Sequence, residues 1–267
     1  MFVKMAPDFS KWTLFLSYYG DKEWSEPEIA PFSGQYWDAD PLFTKDGKAL
    51  YFISNRPAKA GDPPNPDFDI WQVKIGEKGW SDPVRLPPPI NSTSSEYYPT
   101  LADNGTMYFG SRREGGEGAA DIYFSRWEEG KYRTAINIGD AINTAGNEFE
   151  PCIAPDEAFI LFMATPTEAL DQTDFWISHQ QEGRWTKAVK LPAPFNSEAM
   201  EFSPSISMDG KIFFFSSSRN KHGAAFDRPE STGEMRHRIR SAGNGLLDIY
   251  QIDFSALQKM LPAQLPY

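Results

Sequence analysis

The sequence predicts an all-β protein, a five-bladed β-propeller whose blades are four-stranded antiparallel sheets. Four prolines recur at intervals of 52 to 58 residues, and an acidic residue stands three positions before each. Each copy continues with a turn signal and an apolar run, and then with a triplet of an acidic, an apolar and an aromatic residue. The proline markers are Asp38-Ala39-Asp40-Pro41, Glu96-Tyr97-Tyr98-Pro99, Glu148-Phe149-Glu150-Pro151 and Glu201-Phe202-Ser203-Pro204. The triplets are Asp69-Ile70-Trp71, Asp121-Ile122-Tyr123, Asp174-Phe175-Trp176 and Asp248-Ile249-Tyr250. A period of this size indicates a repeat architecture.

The repeat places all 267 residues in one domain. A unit of about 50 residues buries too little apolar surface to fold alone, so neighbouring units must share a core. Proline (22 residues), glycine (20) and aromatic residues (15%) are plentiful, which is typical of many short strands joined by turns. The predicted units are a partial N-terminal blade over 1–37 and repeats over 38–90, 91–142, 143–195 and 196–254.

The second full copy shows the order of strands within a blade. Tyr97–Ala102 is predicted as the first strand and Met107–Ser111 as the second, because Asn104-Gly105 between two apolar runs is a strong hairpin signal. A glycine-rich loop leads to a third strand over 121–127, and a further turn leads to a weaker fourth strand over 132–138. Four antiparallel strands per repeat, without a helix, predict a propeller blade.

The N-terminal stretch is predicted to be an abbreviated copy. Residues 14–17 take the place of the second strand, and the chain then reaches Trp24 with no room for a full third strand. Trp24 opens a fourth strand, in register with Trp80, Tyr132 and Trp185. Because closing the ring removes exposed sheet edges, we expect the C-terminal tail, 252–267, to complete the first blade. The alternative is an open arc of four and a half blades.

The net charge of −11 argues against a nucleic-acid partner, because phosphate neutralisation requires basic side chains. It argues equally against an anionic membrane surface, and no segment is apolar over a membrane-spanning length. Residues 1–7 contain no apolar stretch long enough for a signal peptide. Cys152 is the only cysteine, so no disulfide forms within the chain. We expect a monomer.

The markers resemble the TolB-type propeller repeat, a bacterial relative of the WD repeat. The best match runs from Pro41 to Arg56 and continues at Asp69-Ile70-Trp71, and the resemblance covers almost the whole chain. It implies a propeller fold and a periplasmic or exported protein. The resemblance does not specify a function, because similar repeats occur in TolB itself, in peptidoglycan-associated outer-membrane proteins, beside peptidase domains and in oligogalacturonate lyases.

One acidic residue per copy opens the first strand of each blade, the strand that lines the central channel of a propeller. These residues, Asp38, Glu96, Glu148 and Glu201, are predicted to form a ring at one channel mouth and to bind a ligand. A hard cation such as Ca²⁺ favours several oxygen ligands, so the ring suits calcium or a cationic ligand, although the sequence leaves the metal undetermined. The alternative is structural, with each carboxylate accepting hydrogen bonds from backbone N–H groups. The presence of an acid in every copy favours this alternative, because function usually breaks symmetry.

Two other repeated sets are predicted to be structural. Asparagines five residues before three of the acids suit Asx-turns, at Asn91, Asn143 and Asn196. Arginines end three of the second strands, at Arg56, Arg113 and Arg219, and we expect them to pair with the aspartates that begin the third strands. The third copy has Pro166 in place of this arginine.

The strongest break in symmetry is an insert over 220–245, between the second and third strands of the last repeat. It is basic on an acidic protein and contains Lys221, Arg228, Arg236, Arg238 and Arg240, with His222 and His237. Long loops on rigid scaffolds concentrate function. Arg236, His237, Arg238 and Arg240 are therefore predicted to bind an anionic ligand such as an acidic sugar. The alternative is a solvated loop without a ligand.

No enzyme signature is present: the sequence has no G-x-S-x-G elbow, no H-E-x-x-H and no glycine-rich phosphate loop. The first functional hypothesis is a non-catalytic binding module for a protein or a cell-envelope glycan, without catalytic residues. The second is a carbohydrate-active enzyme, a glycoside hydrolase or polysaccharide lyase, with its site at the channel mouth.

Overall fold

In the computed structural model, the chain forms five small antiparallel sheets arranged as the blades of a five-bladed propeller, which confirms the predicted fold class. The structure describes residues 1–6, 11–59, 61–167, 172–221 and 228–259. In this part of the chain no helix has the length and apolar character needed to cross a bilayer.

The first sheet contains β1 (Phe2–Met5), β2 (Trp12–Leu16) and β5 (Glu28–Ile29), with a small hairpin of β3 (Tyr19–Gly20) and β4 (Glu23–Trp24). Blade two contains β6 (Asp38–Phe43), β7 (Ala49–Ser54), β8 (Asp69–Gly76), β9 (Gly79–Trp80) and β10 (Val84–Arg85). Blade three contains β11 (Glu96–Leu101), β12 (Met107–Ser111), β13 (Asp121–Ser125), β14 (Trp127–Glu128), β15 (Lys131–Tyr132) and β16 (Ile136–Asn137).

Blade four contains β17 (Asn147–Ile153), β18 (Phe159–Thr165), β19 (Asp174–Gln181), β20 (Arg184–Trp185) and β21 (Val189–Lys190). Blade five contains β22 (Glu201–Ile206), β23 (Ile212–Ser217) and β24 (Asp248–Asp253). The insert contributes a helix, α1 (Thr232–Arg238), and a second short helix, α2 (Ser255–Gln258), follows the last strand.

The second strands of blades two, three and four are the apolar centres of their blades. Every residue of β7, β12 and β18 is buried, because neighbouring blades cover both faces of the sheet. The buried apolar residues form four clusters, one at each junction between consecutive blades. Among the described residues, no such cluster joins the last blade to the first. The core is therefore a series of layers between sheets, as the repeat predicts.

The strand order of the first blade differs from the predicted one. Strand β5, which follows Trp24, pairs directly with β2, just as β10 pairs with β8 in blade two. Tyr18 N donates to Ser25 Oγ (3.0 Å), the counterpart of the bond from Lys74 N to Ser81 Oγ (2.9 Å). Strand β2 is therefore the third strand of its blade and β1 the second. The prediction that residues 14–17 form the second strand is wrong, because the rank of a strand depends on partners across the sheet.

The predicted exchange between the termini is wrong for residues 252–259. Ile252 and Asp253 end the third strand of blade five, and Phe254 and Leu257 pack into the cluster between blades four and five. The remaining predicted segment, 260–267, lies outside the described residues.

The repeated asparagines bridge two segments rather than forming Asx-turns. Asn143 Oδ1 accepts a hydrogen bond from Ile122 N (2.9 Å), and its Nδ2 donates to Ile122 O (2.9 Å). Asn91 makes the same two bonds with Ile70, and Asn196 with Phe175. The asparagine side chain thus continues the hydrogen bonding to the third strand at the point where the short fourth strand stops. The role is structural, as predicted, but the Asx-turn prediction is wrong.

Candidate functional site

The four predicted acids lie at the start of the first strands and inside the protein. Asp38, Glu96 and Glu201 are 0% exposed and Glu148 is 2% exposed. A hydroxyl group four or five residues earlier in the chain donates to each of these carboxylates, from Ser33, Ser92, Thr144 and Ser197 respectively. Their predicted role in ligand binding stays a prediction; their contacts join the connection between blades to the first strand.

Three of the acids are paired with an arginine that ends the second strand. The guanidinium–carboxylate distances are 2.7 Å for Arg56–Asp38, 3.1 Å for Arg113–Glu96 and 3.4 Å for Arg219–Glu201. The expected pairing of these arginines with the third-strand aspartates is therefore wrong. Arg85 pairs with Asp69 (2.6 Å) and Lys190 with Asp174 (2.6 Å), from the fourth strand in both cases.

Each of these arginines also lies against at least two aromatic rings. The Arg113 guanidinium is 5.0 Å from the ring centre of Phe109 and 4.9 Å from that of Tyr123. Its Nη2 donates to the carbonyl oxygen of Ile90 (2.6 Å). The carboxylate and the carbonyl oxygen accept hydrogen bonds from the guanidinium, and the two rings contact its faces. Together these interactions stabilise a planar cation that is removed from water. We call this arrangement the arginine clamp.

Blade four has the carboxylate of the clamp but no arginine. Pro166 stands where the arginine is in the other blades, and Ala164 replaces the second-strand serine that lies opposite the acid. Among the described residues, Glu148 accepts hydrogen bonds only from Thr144, from its N–H (2.9 Å) and its hydroxyl (2.6 Å). Burial, together with the charge of Asp121, raises the pKa of Glu148. Blade four therefore breaks the symmetry of the clamp.

The central channel is lined by a different position of the same marker. The residue immediately before each proline is extruded by a β-bulge, with φ between 44° and 57° in all four copies. These left-handed residues are Asp40, Tyr98, Glu150 and Ser203. The strained backbone is shared, whereas the side chains differ in every copy. A sequence comparison of the four copies would have found this position, because it is the one position of the marker that holds a different residue in every copy.

Hydrogen bonds between blades fix the channel residues. Asp40 Oδ2 accepts from Tyr98 N (3.0 Å), and Glu150 Oε2 accepts from Ser203 N. The hydroxyl of Tyr98 reaches from blade three to the carbonyl oxygen of Pro204 in blade five (2.9 Å). Tyr98 therefore crosses the channel.

Two acids share the interior of this channel. Burial raises the pKa of Asp40 to about 7, against the opposing effect of the Tyr98 N–H. Burial, followed by the charge of Asp40, raises the pKa of Glu150 to about 8. Each acid is therefore set to hold a proton near neutral pH, and the loss of the second proton is opposed by the charge left by the first.

Among the residues that the structure describes, no three carboxylate, imidazole or thiol groups are close enough together to hold a metal ion. Each of the four predicted acids accepts a hydrogen bond from a hydroxyl group in the connection that precedes its blade. Calcium at the channel mouth stays a prediction.

The insert lies on one face of the propeller, which also bears the other connections between second and third strands. We call it the loop face; the described residues of its connections are 55–59, 61–68, 112–120, 166–167, 172–173, 218–221 and 228–247. Arg238 pairs with Glu230 (2.8 Å), and Arg228 pairs with Glu234. Arg236, His237 and Arg240 are exposed. The structure thus divides the predicted basic residues into one paired residue and three exposed ones; His222 lies outside the described residues.

The insert contains a helix that the sequence analysis missed. Ser231 Oγ accepts from Glu234 N, and the Glu234 carboxylate accepts from Ser231 N (2.8 Å), which is a capping box. The S-x-x-E pattern that produces it is visible in the sequence.

The same segment exposes large apolar side chains. Five of them lie between residues 235 and 249: Met235, Ile239, Leu246, Leu247 and Ile249. Ile249 is 62% exposed, whereas its counterparts Ile70 and Ile122 are fully buried. An apolar surface beside exposed arginines is typical of an interaction site.

No protein-family model and no curated protein matches the sequence. Solved structures share its fold at low identity. The α-L-arabinofuranosidase from Lactobacillus brevis is similar with a TM-score of 0.51 and 11% identity, over 85% of this chain and 78% of that chain. TolB from Acinetobacter baumannii has a TM-score of 0.46 and 15% identity, over 81% of this chain and 51% of that chain, so this chain spans about half the TolB length. At these identities the likeness extends to the fold alone.

We expect the buried acids to differ in their contribution to stability. Glu96→Gln leaves Arg113 without its counter-ion and should lower the free energy of unfolding by about 3 kcal/mol. Glu148→Gln removes a buried carboxylate that has no cation and should change it by less than about 1 kcal/mol. Urea unfolding of the two variants measures the difference. Equal losses of unfolding free energy would show that an arginine partner does not determine how much each carboxylate contributes to stability.

The channel acids should make stability depend on pH. Their folded-state pKa values of about 7 and about 8 lie above the ordinary values of 3.8 and 4.5. Because the folded state binds more protons than the unfolded chain between about pH 4 and pH 8, its free energy of unfolding should fall as the pH rises through that window. The double variant Asp40→Asn/Glu150→Gln should show a shallower fall. Parallel pH profiles for both proteins would contradict the assignment.

Proposed function

We propose that the protein is a non-catalytic propeller that binds a protein partner through its loop face. The observation that carries this proposal is the exposed apolar surface of the insert and of the residue that follows it, formed by Met235, Ile239 and Leu246 and interleaved with Arg236 and Arg240. Protein interfaces combine such aliphatic contacts with arginine, which offers both an apolar stem and a charge. The basic insert also contrasts with a net charge of −11, so it favours an orientation in which an acidic partner surface meets this face.

The internal order of the insert supports the same proposal. The insert is anchored to the scaffold, since Gly243 N donates to Asp248 Oδ2 (2.6 Å) and Lys221 N to Gly243 O (3.0 Å). The capping box and the Arg238–Glu230 pair (2.8 Å) order its helix. A surface that is ordered before binding loses less conformational entropy when a partner docks.

The test is a capture experiment with a matched control. The triple variant Met235→Asp/Ile239→Asp/Leu246→Asp carries charges into the insert, and the control Val84→Asp/Val189→Asp places them on exposed apolar residues of blades two and four (62% and 59% exposed). Cross-linked partners should be enriched equally by the wild type and the control and at least about tenfold less by the triple variant, a loss of about 1.4 kcal/mol. Equal capture by all three proteins would reject the insert as the interface. Binding of the wild type to a cell-envelope glycan array, unchanged in the triple variant, would reject a protein partner at this face.

A second candidate function is a carbohydrate-active enzyme. The observation that favours it is the pair of channel acids, because a carboxyl group that keeps its proton near neutral pH is what glycoside hydrolysis requires of its general acid. A glycosidase that is similar in fold, the arabinofuranosidase, makes arabinofuranosides the first substrates to test. For a substrate to reach both acids, the Tyr98 side chain must leave the channel.

Measuring the hydrolysis of glycosides tests this second candidate function. If the channel is catalytic, the protein should hydrolyse an aryl α-L-arabinofuranoside or another aryl glycoside, and Glu150→Gln should reduce the rate by at least about a hundredfold. The conservative Ser203→Ala variant, which keeps the backbone N–H that Glu150 accepts, is the control and should retain the rate. An absence of turnover above the buffer blank, or a rate that is unchanged in Glu150→Gln, would reject the channel as an active site.

A further inference from the structure

The arginine clamp occurs three times with an arginine of this chain and once without one. In each of the three complete copies the guanidinium lies about 5 Å from two ring centres, those of a second-strand and a third-strand residue. It also donates to a carbonyl oxygen of the preceding connection, that of Phe32, Ile90 or Phe195. The geometry of a bound guanidinium is thus repeated within one molecule.

Blade four retains the aromatic pair, the carbonyl group and the carboxylate of the clamp. Phe162 and Trp176 are directly paired across β18 and β19, as Phe109 and Tyr123 are across β12 and β13. Ile142 precedes Asn143 just as Ile90 precedes Asn91, so it supplies the matching carbonyl group. Glu148 supplies the carboxylate. Only the serine and the arginine are replaced, by Ala164 and Pro166.

In the part of the chain that the structure describes, no lysine or arginine takes the place of the missing arginine. All lysines and arginines belong to the part of the chain that the structure describes, and within it none forms an ion pair with Glu148. The third-strand aromatic residue Trp176 is half-buried, as Tyr250 is in the clamp of blade five, whereas Trp71 and Tyr123 are 5% and 4% exposed. Glu148 Oε1 accepts one hydrogen bond, whereas Glu96 Oε1 accepts three.

We propose that the clamp of blade four, formed by Glu148, Phe162, Trp176 and the carbonyl group of Ile142, binds the guanidinium group of an arginine side chain from a partner. The site lies beside Pro166, in the blade next to the insert. Glu148 and Phe162 are at most 2% exposed, so a guanidinium must displace the groups that cover them. The inference deepens the proposed function and rests on it for the source of the arginine, a protein partner. The chemistry of the site itself does not depend on that source.

Guanidinium fits this site better than ammonium for geometric reasons. A planar cation stacks against an aromatic face while its edge donates to a carboxylate and a carbonyl oxygen at the same time. An ammonium group is a compact, strongly hydrated charge that cannot use the ring faces and both acceptors in this way. The arginine side chain should therefore be preferred over lysine.

The experiment is a titration of the whole protein with Nα-acetyl-arginine N-methylamide, followed by calorimetry and by the NMR signal of the Trp176 indole. The comparison probe is the matching lysine derivative. The decisive variant is Pro166→Arg, which should fill the clamp with an arginine of the chain itself, and Pro166→Ala is its matched control. Glu148→Gln is a second variant that removes the charge without changing the backbone.

The wild type and Pro166→Ala should bind the arginine probe with a Kd of roughly millimolar order and shift the Trp176 signal. Pro166→Arg and Glu148→Gln should bind it at least about tenfold more weakly, and the lysine probe should bind the wild type several-fold more weakly. Pro166→Arg should also unfold at a higher temperature than Pro166→Ala. If Pro166→Arg does not fold, the loss in Glu148→Gln alone decides.

Two results would overturn the proposal: no shift of the Trp176 signal at tens of millimolar probe, or equal binding by the wild type and Glu148→Gln. The Arg113→Ala variant provides the positive control, because it opens the equivalent clamp of blade three to the same probe. Rescue of its stability by the arginine probe, without binding to blade four, would also reject the site. These outcomes use no partner protein, so they are distinct from a failure of the insert to capture one.

Discussion

The structure depends on a buried carboxylate at the start of each first strand. Glu96 shows what this group does: it accepts from Ser92 in the connection between blades, from Ser111 in the second strand and from Arg113 beyond it. One side chain thus joins three segments of the repeat: the connection that precedes the blade, the second strand and the loop that follows it. A charge that is fully removed from water is tolerated only when it has such partners, so the carboxylate also excludes other arrangements of these segments.

The carboxylate also positions the channel. It fixes the first strand at one end, and two residues later the β-bulge turns Asp40, Tyr98, Glu150 and Ser203 toward the centre. The backbone of this bulge is the same in four blades, so it belongs to the architecture. The side chains that it presents are all different, and this is where the ring acquires individual chemistry: two acids, a hydroxyl group that crosses the channel and a small polar residue.

Two departures from the repeat lie on one face. Blade four has Pro166 and Ala164 where the other blades have arginine and serine, and blade five has the insert with its capped helix. Both changes lie in or beside connections between second and third strands, where the core of the propeller does not require particular side chains. The loop face therefore combines a rigid base with local variation, which is the usual arrangement of a binding surface.

The sequence by itself determined the repeat, the hairpins and the fold class, because the period of the proline markers and the turn signals are local features. It also showed that Pro166 departs from the pattern. Only the tertiary structure decided that Arg113 pairs with Glu96 and not with a third-strand aspartate, that Trp12–Leu16 is a third strand, and that Asp40 meets Tyr98 in the channel. These facts depend on distances between strands and between blades, and residues far apart in the chain can approach one another in several ways that the same local pattern permits.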